Sequence, residues 1–556
     1  NNPVKRNRMK VLTSLFAELR PIEGLVLRTV GGLDASDNRL TATSNPSYVP
    51  NYGSGTVAKS FERYSNLTWT NTANYTFTIK DDHNISLLLG QEAVINQSEG
   101  FNVTTRGQSN DKLLTMATAT SATSWDDIVS EATYLSFFGR AEYNYSNKYY
   151  ADFSVRRDGS SKFGKDARWA NFWSVGAMWN LKSEDFLKDI DWLTNLQLIA
   201  SIGTSGNSSI PNYDHTALFA AGPQYSGKTG IAPYSRGNEN LTWEKLMTTN
   251  IGVKIGLFDR LNLNVEFYNK KTTDMLMEVP VTFGNGFNTK WDNIGAMINR
   301  GVEFDVDADI IRTKDFTWNV SANASYNHNE ITELYNGLDE YEISTTGLLL
   351  KVGHSYGEFH AVRYAGVNPA NGDALWYTKD GELTNRFSNE DRVLLGKSYV
   401  APWQGGFGTT FSYKGIQLSA LFSWVADRWM MNNDRFFDES NGTYAVYNQS
   451  AKLLNRWQKP GDITEIPRDG VQTQLDSHLV EDASFMRLKN LSLSYTFPQS
   501  LLKKTKVIER AKVFGQAQNL LTFTKFTGLD PESNLNMYRA SYPLSRQFSF
   551  GIEVTF

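Results

Sequence analysis

Residues 67–79 read Leu67-Thr68-Trp69-Thr70-Asn71-Thr72-Ala73-Asn74-Tyr75-Thr76-Phe77-Thr78-Ile79. The odd positions are apolar apart from Asn71, and every even position is Thr or Asn. Thirteen residues of period two describe a strand with one apolar and one polar face. The pattern recurs along the chain. Leu261, Leu263, Val265 and Phe267 alternate with Asn262, Asn264, Glu266 and Tyr268. Val302, Phe304, Val306, Ala308 and Ile310 alternate with Glu303, Asp305, Asp307 and Asp309. Trp318, Val320, Ala322, Ala324 and Tyr326 alternate with polar residues from Thr317 to Ser325, and Phe548, Phe550, Ile552, Val554 and Phe556 share one face at the end.

Composition narrows what such strands can build. The 556 residues are 40% hydrophobic and 21% charged, which excludes a disordered chain. With 55 basic and 59 acidic residues the net charge is −4, so no basic field points to nucleic acid. Cysteine is absent, which removes disulfide frameworks, Cys-zinc sites and thiol catalysis together. The sequence has no run of apolar residues long enough for a transmembrane helix. Asn1-Asn2-Pro3-Val4-Lys5-Arg6 does not open a signal peptide.

Alternating strands suit a soluble sandwich or propeller, with the apolar face inward, or an outer-membrane barrel, with it facing lipid. Three features favour the barrel. The strands are long, about ten to fourteen residues against the usual five or six of soluble sheets. Links alternate in length. Short ones fall at Arg20–Glu23, Lys80–His83, Ser146–Lys148, Phe258–Leu261, Arg312–Asp315 and Lys414–Gly415. Long excursions fall at Asp34–Phe61, Gln97–Thr133, Thr204–Glu244, Leu276–Arg300, Asn329–Pro402 and Asp427–Ala483. Finally, Tyr145, Tyr149, Trp179, Trp318, Tyr413, Phe497 and Phe556 lie on the apolar face at the short-turn end, where a headgroup girdle belongs. With the C-terminus periplasmic, Lys525–Leu544 is an outside loop and every short link is periplasmic, provided 329–402 is one outside loop with a small hairpin of its own. The runs predict about seventeen strands, beginning with Met9–Arg20 and ending with Ser545–Phe556.

Several stretches resemble the SusC/RagA-type TonB-dependent outer-membrane transporters. They include Phe138-Gly139-Arg140-Ala141, Tyr149–Gly164, Asn238-Glu239-Asn240-Leu241-Thr242-Trp243-Glu244, Asn299–Phe304, Ala483–Leu491, Gln518–Thr524, Gly528–Glu532 and Tyr542–Arg546. The resemblance runs through essentially the whole chain. It implies an all-β transmembrane barrel of about 22 strands, of which this chain carries about 17. It also implies an N-terminal plug, a SusD-like surface lipoprotein as lid, and energy from the TonB–ExbB–ExbD complex acting through the plug. The plug, the leading domain and the TonB-contact segment have no counterpart in this sequence. Residues 1–556 are therefore expected to be the C-terminal part of a barrel in the cell outer membrane, with large extracellular insertions at about 329–402 and 427–483. A sheet of about seventeen strands starting at Met9 would leave two open edges in hydrocarbon, where unsatisfied backbone groups cost several kcal/mol each, and closing it with an odd number would depart from the even-numbered bacterial pattern. About five further strands and a plug are thus expected from upstream residues or another chain. Phe556, closing an aromatic-rich strand, looks like the insertion signal of such barrels.

No enzyme, metal or cofactor signature stands out. The six histidines (His83, His215, His328, His354, His360 and His478) are scattered, only His354 and His360 are close, and no H-E-x-x-H occurs. Leu394-Leu395-Gly396-Lys397-Ser398 imitates a phosphate loop but has Asp391 where the first glycine belongs. Gly405-Gly406-Phe407-Gly408 opens a strand, not a helix. Asn368-Pro369-Ala370-Asn371-Gly372-Asp373 reads as a turn rather than a calcium loop. Two sets of binding candidates remain. Glu303, Asp305, Asp307 and Asp309 form an acidic stripe, either lining a route or simply a solvated lumen wall. Trp125, Tyr213, Tyr234, Phe287, Trp291, Trp376, Trp429 and Tyr444 offer flat faces in the long excursions for sugars or peptide side chains, or pack inside folded loops. The resulting expectation is import of an oligosaccharide or peptide nutrient. A soluble all-β carbohydrate-binding or carbohydrate-active protein, or a passive pore, is the alternative.

Overall fold

The computed structural model describes residues 2–48, 53–281, 284, 286–287, 289–343, 348–444, 447–533, 535–539 and 542–556. Parts of the long excursions, at 49–52, 282–283, 285, 288, 344–347, 445–446, 534 and 540–541, lie outside the described residues. Among the described residues, seventeen strands share one sheet, the number expected from the alternation. By its internal packing the chain divides into two units.

The first unit comprises Asn1–Met178, Ser201–Met247 and Thr272–Ile294. It holds β1 (Val4–Leu19), β2 (Leu25–Ser44), β3 (Gly55–Ile79), β4 (His83–Gln108), β5 (Ser121–Tyr145) and β6 (Tyr149–Ser160). Each pairs antiparallel with the next. The short links close as expected from twist: Lys80 and Asp81, then Ser146 and Asn147, are consecutive residues with positive φ. That geometry matches the right-handed twist of the strands it joins. At Gly24 (φ 79°) a Cβ would sit 2.2 Å from the carbonyl oxygen of Thr76, so only glycine fits the β1–β2 turn.

Two expectations need correction here. β3, β4 and β5 are 25, 26 and 25 residues long, about twice the length read from alternation. Much of the Asp34–Phe61 and Gln97–Thr133 excursions is therefore strand: β2 runs to Ser44, β3 starts at Gly55, β4 runs to Gln108 and β5 starts at Ser121. The β3–β4 register runs from Ile79↔His83 to Thr56↔Arg106 without a slip, so the pairing continues where the alternation has stopped. Backbone hydrogen bonding carries the strand onward and needs no particular side-chain pattern. β1 likewise begins at Val4, ahead of Met9. A buried cluster of Phe163, Ala170, Phe172, Ile210, Leu241 and Trp243 packs Tyr134, Leu276 and Trp291 against it. The Trp243 indole N–H donates to the carbonyl of Arg168 at 3.0 Å.

The second unit comprises Trp179–Ala200, Thr248–Lys271 and Gly295–Phe556. Strands Ala296–Arg312, Phe316–Glu333, Trp403–Tyr413, Ile416–Ala426, Phe485–Thr496, Arg510–Thr524 and Gln547–Thr555 pair antiparallel in succession. Residues 329–333, read as the start of an insertion, belong to a strand. The rest of that insertion is larger than a hairpin. It builds a six-stranded sheet that includes Glu358–Val367, Ala374–Tyr377 and Arg392–Ser398. Asn368–Asp373 is the turn between Glu358–Val367 and Ala374–Tyr377: Gly372 (φ 78°) donates its N–H to the Asn368 carbonyl at 2.8 Å, and Asp373 pairs with Arg468 at 3.0 Å. The phosphate-loop imitation lies in strand Arg392–Ser398 and Gly405–Gly408 in strand Trp403–Tyr413. The second insertion contributes Trp429–Asn432 and Val480–Asp482 to a three-stranded sheet that Met537–Tyr538 of the 525–544 loop completes.

Candidate functional site

Within the second unit, the six-stranded sheet and the segment 435–478 enclose a cavity of about 710 Å³. Its wall starts from packing. Val362, Ala374 and Trp376 are buried together, with Tyr364, Phe387 and Val471 against them. Trp376 donates its indole N–H to Asp476 Oδ2 at 2.7 Å. Asp476 is buried, and its other oxygen accepts the His478 backbone N–H and faces His478 Nδ1. The Tyr364 ring lies tilted beside His478, with ring centroids 5.0 Å apart, and its hydroxyl donates to the Glu465 carbonyl. Burial, with the nearby Asp476 charge, pushes the Tyr364 phenol well above its ordinary range, so it stays a neutral donor.

Opposite lies an ionic lattice. Arg435 meets Glu439 at 2.9 Å and Glu481 at 2.9 Å, and donates to the His478 carbonyl. Lys452 meets the other oxygen of Glu439 at 3.0 Å. Burial alone would raise the Glu439 carboxyl, but the hydrogen bonds and charges of Arg435 and Lys452 outweigh it and hold it below its ordinary value. The Lys452 side chain is about half exposed (49%) while Glu439 is nearly sealed (6%), so the ammonium is the accessible end of the lattice. The cavity thus combines fixed charges of both signs with amide and hydroxyl side chains from Asn455, Thr464, Gln472, Thr473 and Gln474. Such a lining can hold a polar, charged molecule. Among the described residues, no group of three or more His, Asp or Glu side chains is arranged to hold a metal ion.

The acidic stripe is a hydrogen-bonded wall of the same unit. Glu303, Asp305, Asp307 and Asp309 stand opposite Ser325, Asn323, Ser321 and Asn319. Asn319 donates its amide to Asp307 and Asp309 at 3.3 and 3.2 Å, and Asn264 donates to Asp305 at 3.4 Å. A register shift between Asp309 and Ile311 ends the alternation. Asp305 and Asp307 line a hollow of about 350 Å³ with Asn262, Asn264 and Asn323. Glu303 and Asp305 line another of about 440 Å³ with Lys489 and Glu532.

The eight loop aromatics divide between the two units. Trp376 lines the cavity, but as a packed residue whose N–H is already bound. Trp429 carries the Lys397 ammonium 3.9 Å above its ring, and Tyr444 packs with Phe436, Phe437 and Tyr447. In the first unit, Trp291 lies against the buried cluster and Phe287 is half-buried. The Tyr213 hydroxyl accepts the Glu131 N–H at 2.8 Å. Trp125 and Tyr234 are both 72% exposed. Reading aromatics by loop position missed Tyr364, Arg435, Glu439, Lys452, Asp476 and His478. Tyr364 is over one hundred residues from Asp476, and no local spacing joins them.

A family described as "TonB dependent receptor-like, beta-barrel" matches residues 22–520. The chain is 30% identical to TonB-dependent receptor P3 of Formosa agariphila, over 98% of this chain and 58% of that protein. It is 31% identical to TonB-dependent receptor SusC of Bacteroides thetaiotaomicron, over 76% of this chain and 44% of that protein. Among solved structures, the RagAB peptide transporter superposes with a TM-score of 0.93 at 36% identity, covering 100% of this chain and 62% of its counterpart. The chain therefore spans about three fifths or less of the length of these relatives.

Proposed function

Since the chain belongs to the TonB dependent receptor-like β-barrel family of the outer membrane, we propose that it is the barrel part of a SusC/RagA-type importer whose cargo is peptide. The observation that carries the peptide reading is the charge of the 710 Å³ cavity, where Arg435, Lys452, Glu439 and Asp476 stand within one lining. A peptide brings an ammonium, a carboxylate and backbone amides to such a surface. A neutral glycan can hydrogen-bond this lining but brings no charge to pair with the accessible Lys452 ammonium. The RagAB neighbour, itself a peptide transporter, points the same way. Carriage, not chemistry, is the role: the relatives are named as receptors and transporters.

In this reading the remaining strands and a plug come from the rest of the protein. The TonB–ExbB–ExbD complex supplies energy through that plug, and a SusD-like lipoprotein covers the outer side. The eight loop aromatics and the acidic stripe remain candidate contacts along the route. The test uses the full-length receptor with its lipoprotein in cells. Uptake of a labelled peptide mixture should require TonB, and a neutral oligosaccharide mixture should not compete. Lys452→Ala should lower peptide affinity about tenfold, the worth of one charge-assisted hydrogen bond. Oligosaccharide uptake untouched by charge removal at Lys452 would overturn the peptide reading.

A further inference from the structure

On β3 the lipid-facing side is set by Leu67 and Trp69, and the register extends it to Leu33 and Gly31 on β2 and to Thr13 and Leu15 on β1. Followed outward from the apolar band, the same side next presents the row Val11–Ala35–Ser65, then Met9–Asp37–Arg63, Asn7–Arg39–Phe61 and Lys5–Thr41–Lys59. Four cations thus stand on the outer surface just beyond the lipid-facing residues. Arg63 is neutralised: its guanidinium forks onto Asp37 at 2.8 and 3.0 Å and lies 3.6 Å from Glu99. Among the described residues, Lys5, Arg39 and Lys59 have no acidic partner within ion-pair distance.

Sheet geometry brings these three together. Strands about 4.8 Å apart place Lys5 and Lys59 on either side of Thr41, with Arg39 two residues along the middle strand. Arg39 and Arg63 also hold their guanidinium groups 5.9 and 5.7 Å from the Phe61 ring, which neighbours the exposed Phe101 at 6.1 Å. A tilted strand rises about 2.5 Å per residue along the membrane normal, so Arg63 to Lys59 lie roughly 10–20 Å above Leu67. That depth is the headgroup and inner-sugar layer of the outer leaflet.

We propose that Lys5, Arg39 and Lys59 form a binding site for the phosphate of a phosphorylated glycolipid of the outer leaflet. The phosphate occupies the triangle of these three cations, a sugar ring lies against the exposed Phe101, and the acyl chains run down over Leu33, Leu67 and Trp69. Charge complementarity selects an anion, and continuity with the lipid-facing side selects one that carries acyl chains. The site depends on the barrel's orientation in the membrane and is independent of what is imported.

The test uses the full-length receptor purified in detergent, with phosphorylated lipid A, its dephosphorylated form and inorganic phosphate as probes, read by native mass spectrometry and by competition. Phosphorylated lipid A should bind one site. The triple variant Lys5→Ala, Arg39→Ala and Lys59→Ala should weaken it about 100-fold, each cation near an anionic surface contributing a factor of several. The charge-preserving pair Lys5→Arg and Lys59→Arg should retain binding. A heat-modifiable gel shift serves as the folding control, since the three side chains are exposed and touch no buried cluster. Equal binding of the dephosphorylated form, undiminished binding by the triple variant, or displacement by inorganic phosphate at the same concentration would overturn the proposal.

Discussion

The two halves of β3 share a backbone and differ in everything else. From Leu67 to Ile79 the side chains alternate strictly, whereas from Thr56 to Asn66 apolar, charged and hydroxyl residues follow one another without period. Yet both halves pair with β2 and β4 in one register. Alternation is therefore a measure of surroundings and not of strand formation. In the lower half one face meets lipid and the other a polar interior, so the pattern records two solvents. In the upper half both faces meet polar surroundings, and the pattern disappears while the strand continues. Where the alternation stops, particular partners remain: Arg63 with Asp37 across β3 and β2, and, in the second unit, the buried Arg487 with Asp530 at the base of the 525–544 loop.

The largest expected effect tests that dependence on partners. Arg487 and Asp530 are both buried and meet at 2.6 Å, with Glu532 on the second Arg487 nitrogen at 2.8 Å. Arg487→Ala leaves a buried carboxylate unpaired and should destabilise docking of 525–544 by about 3–5 kcal/mol. Hydrogen exchange confined to that segment would register it. Burial raises the Asp530 carboxyl, but the Leu544 and Glu532 amides and Arg487 outweigh burial and hold it below its ordinary value. A depressed carboxylate contributes fully above its unfolded value near about pH 4. Docking should therefore persist down to that pH and loosen as pH falls through the lower, folded value.

The next effect separates the halves directly. Ala73→Arg places a charge on the lipid face near mid-membrane and should cost about 2–4 kcal/mol, against about 0–1 for Phe61→Arg on the same side above the band. Unfolding from lipid vesicles measures both, and equal costs would erase the distinction. The smallest effect is Lys10→Ala. Its partner Asp34 lies 2.9 Å away, but both are well exposed, so removal should cost under about 1 kcal/mol.

What the sequence made legible follows from this physics. The lipid-facing runs, the short turns at Lys80–Asp81 and Ser146–Asn147, the number of strands and the family all leave local marks. The upper halves of β3 to β5 leave none, because pairing is a backbone property. The cavity was equally silent. Its lining joins Tyr364 to Asp476 and Arg435 through tertiary packing, and Trp376, which offers a flat face on paper, spends its N–H on Asp476.

Single-cysteine scanning of β3 from Thr56 to Ile79 in the full-length receptor can decide whether one strand passes from lipid into water at Asn66, since this part of the protein has no cysteine of its own. Each site is labelled with a fluorophore and quenched by lipid-borne or water-borne quenchers. The expected result is lipid quenching at odd positions from Leu67 to Ile79, water quenching at even ones, and water quenching at both parities from Thr56 to Asn66. Lipid quenching of Thr68, Thr70 and Thr72, or alternation continuing unchanged up to Thr56, would contradict it.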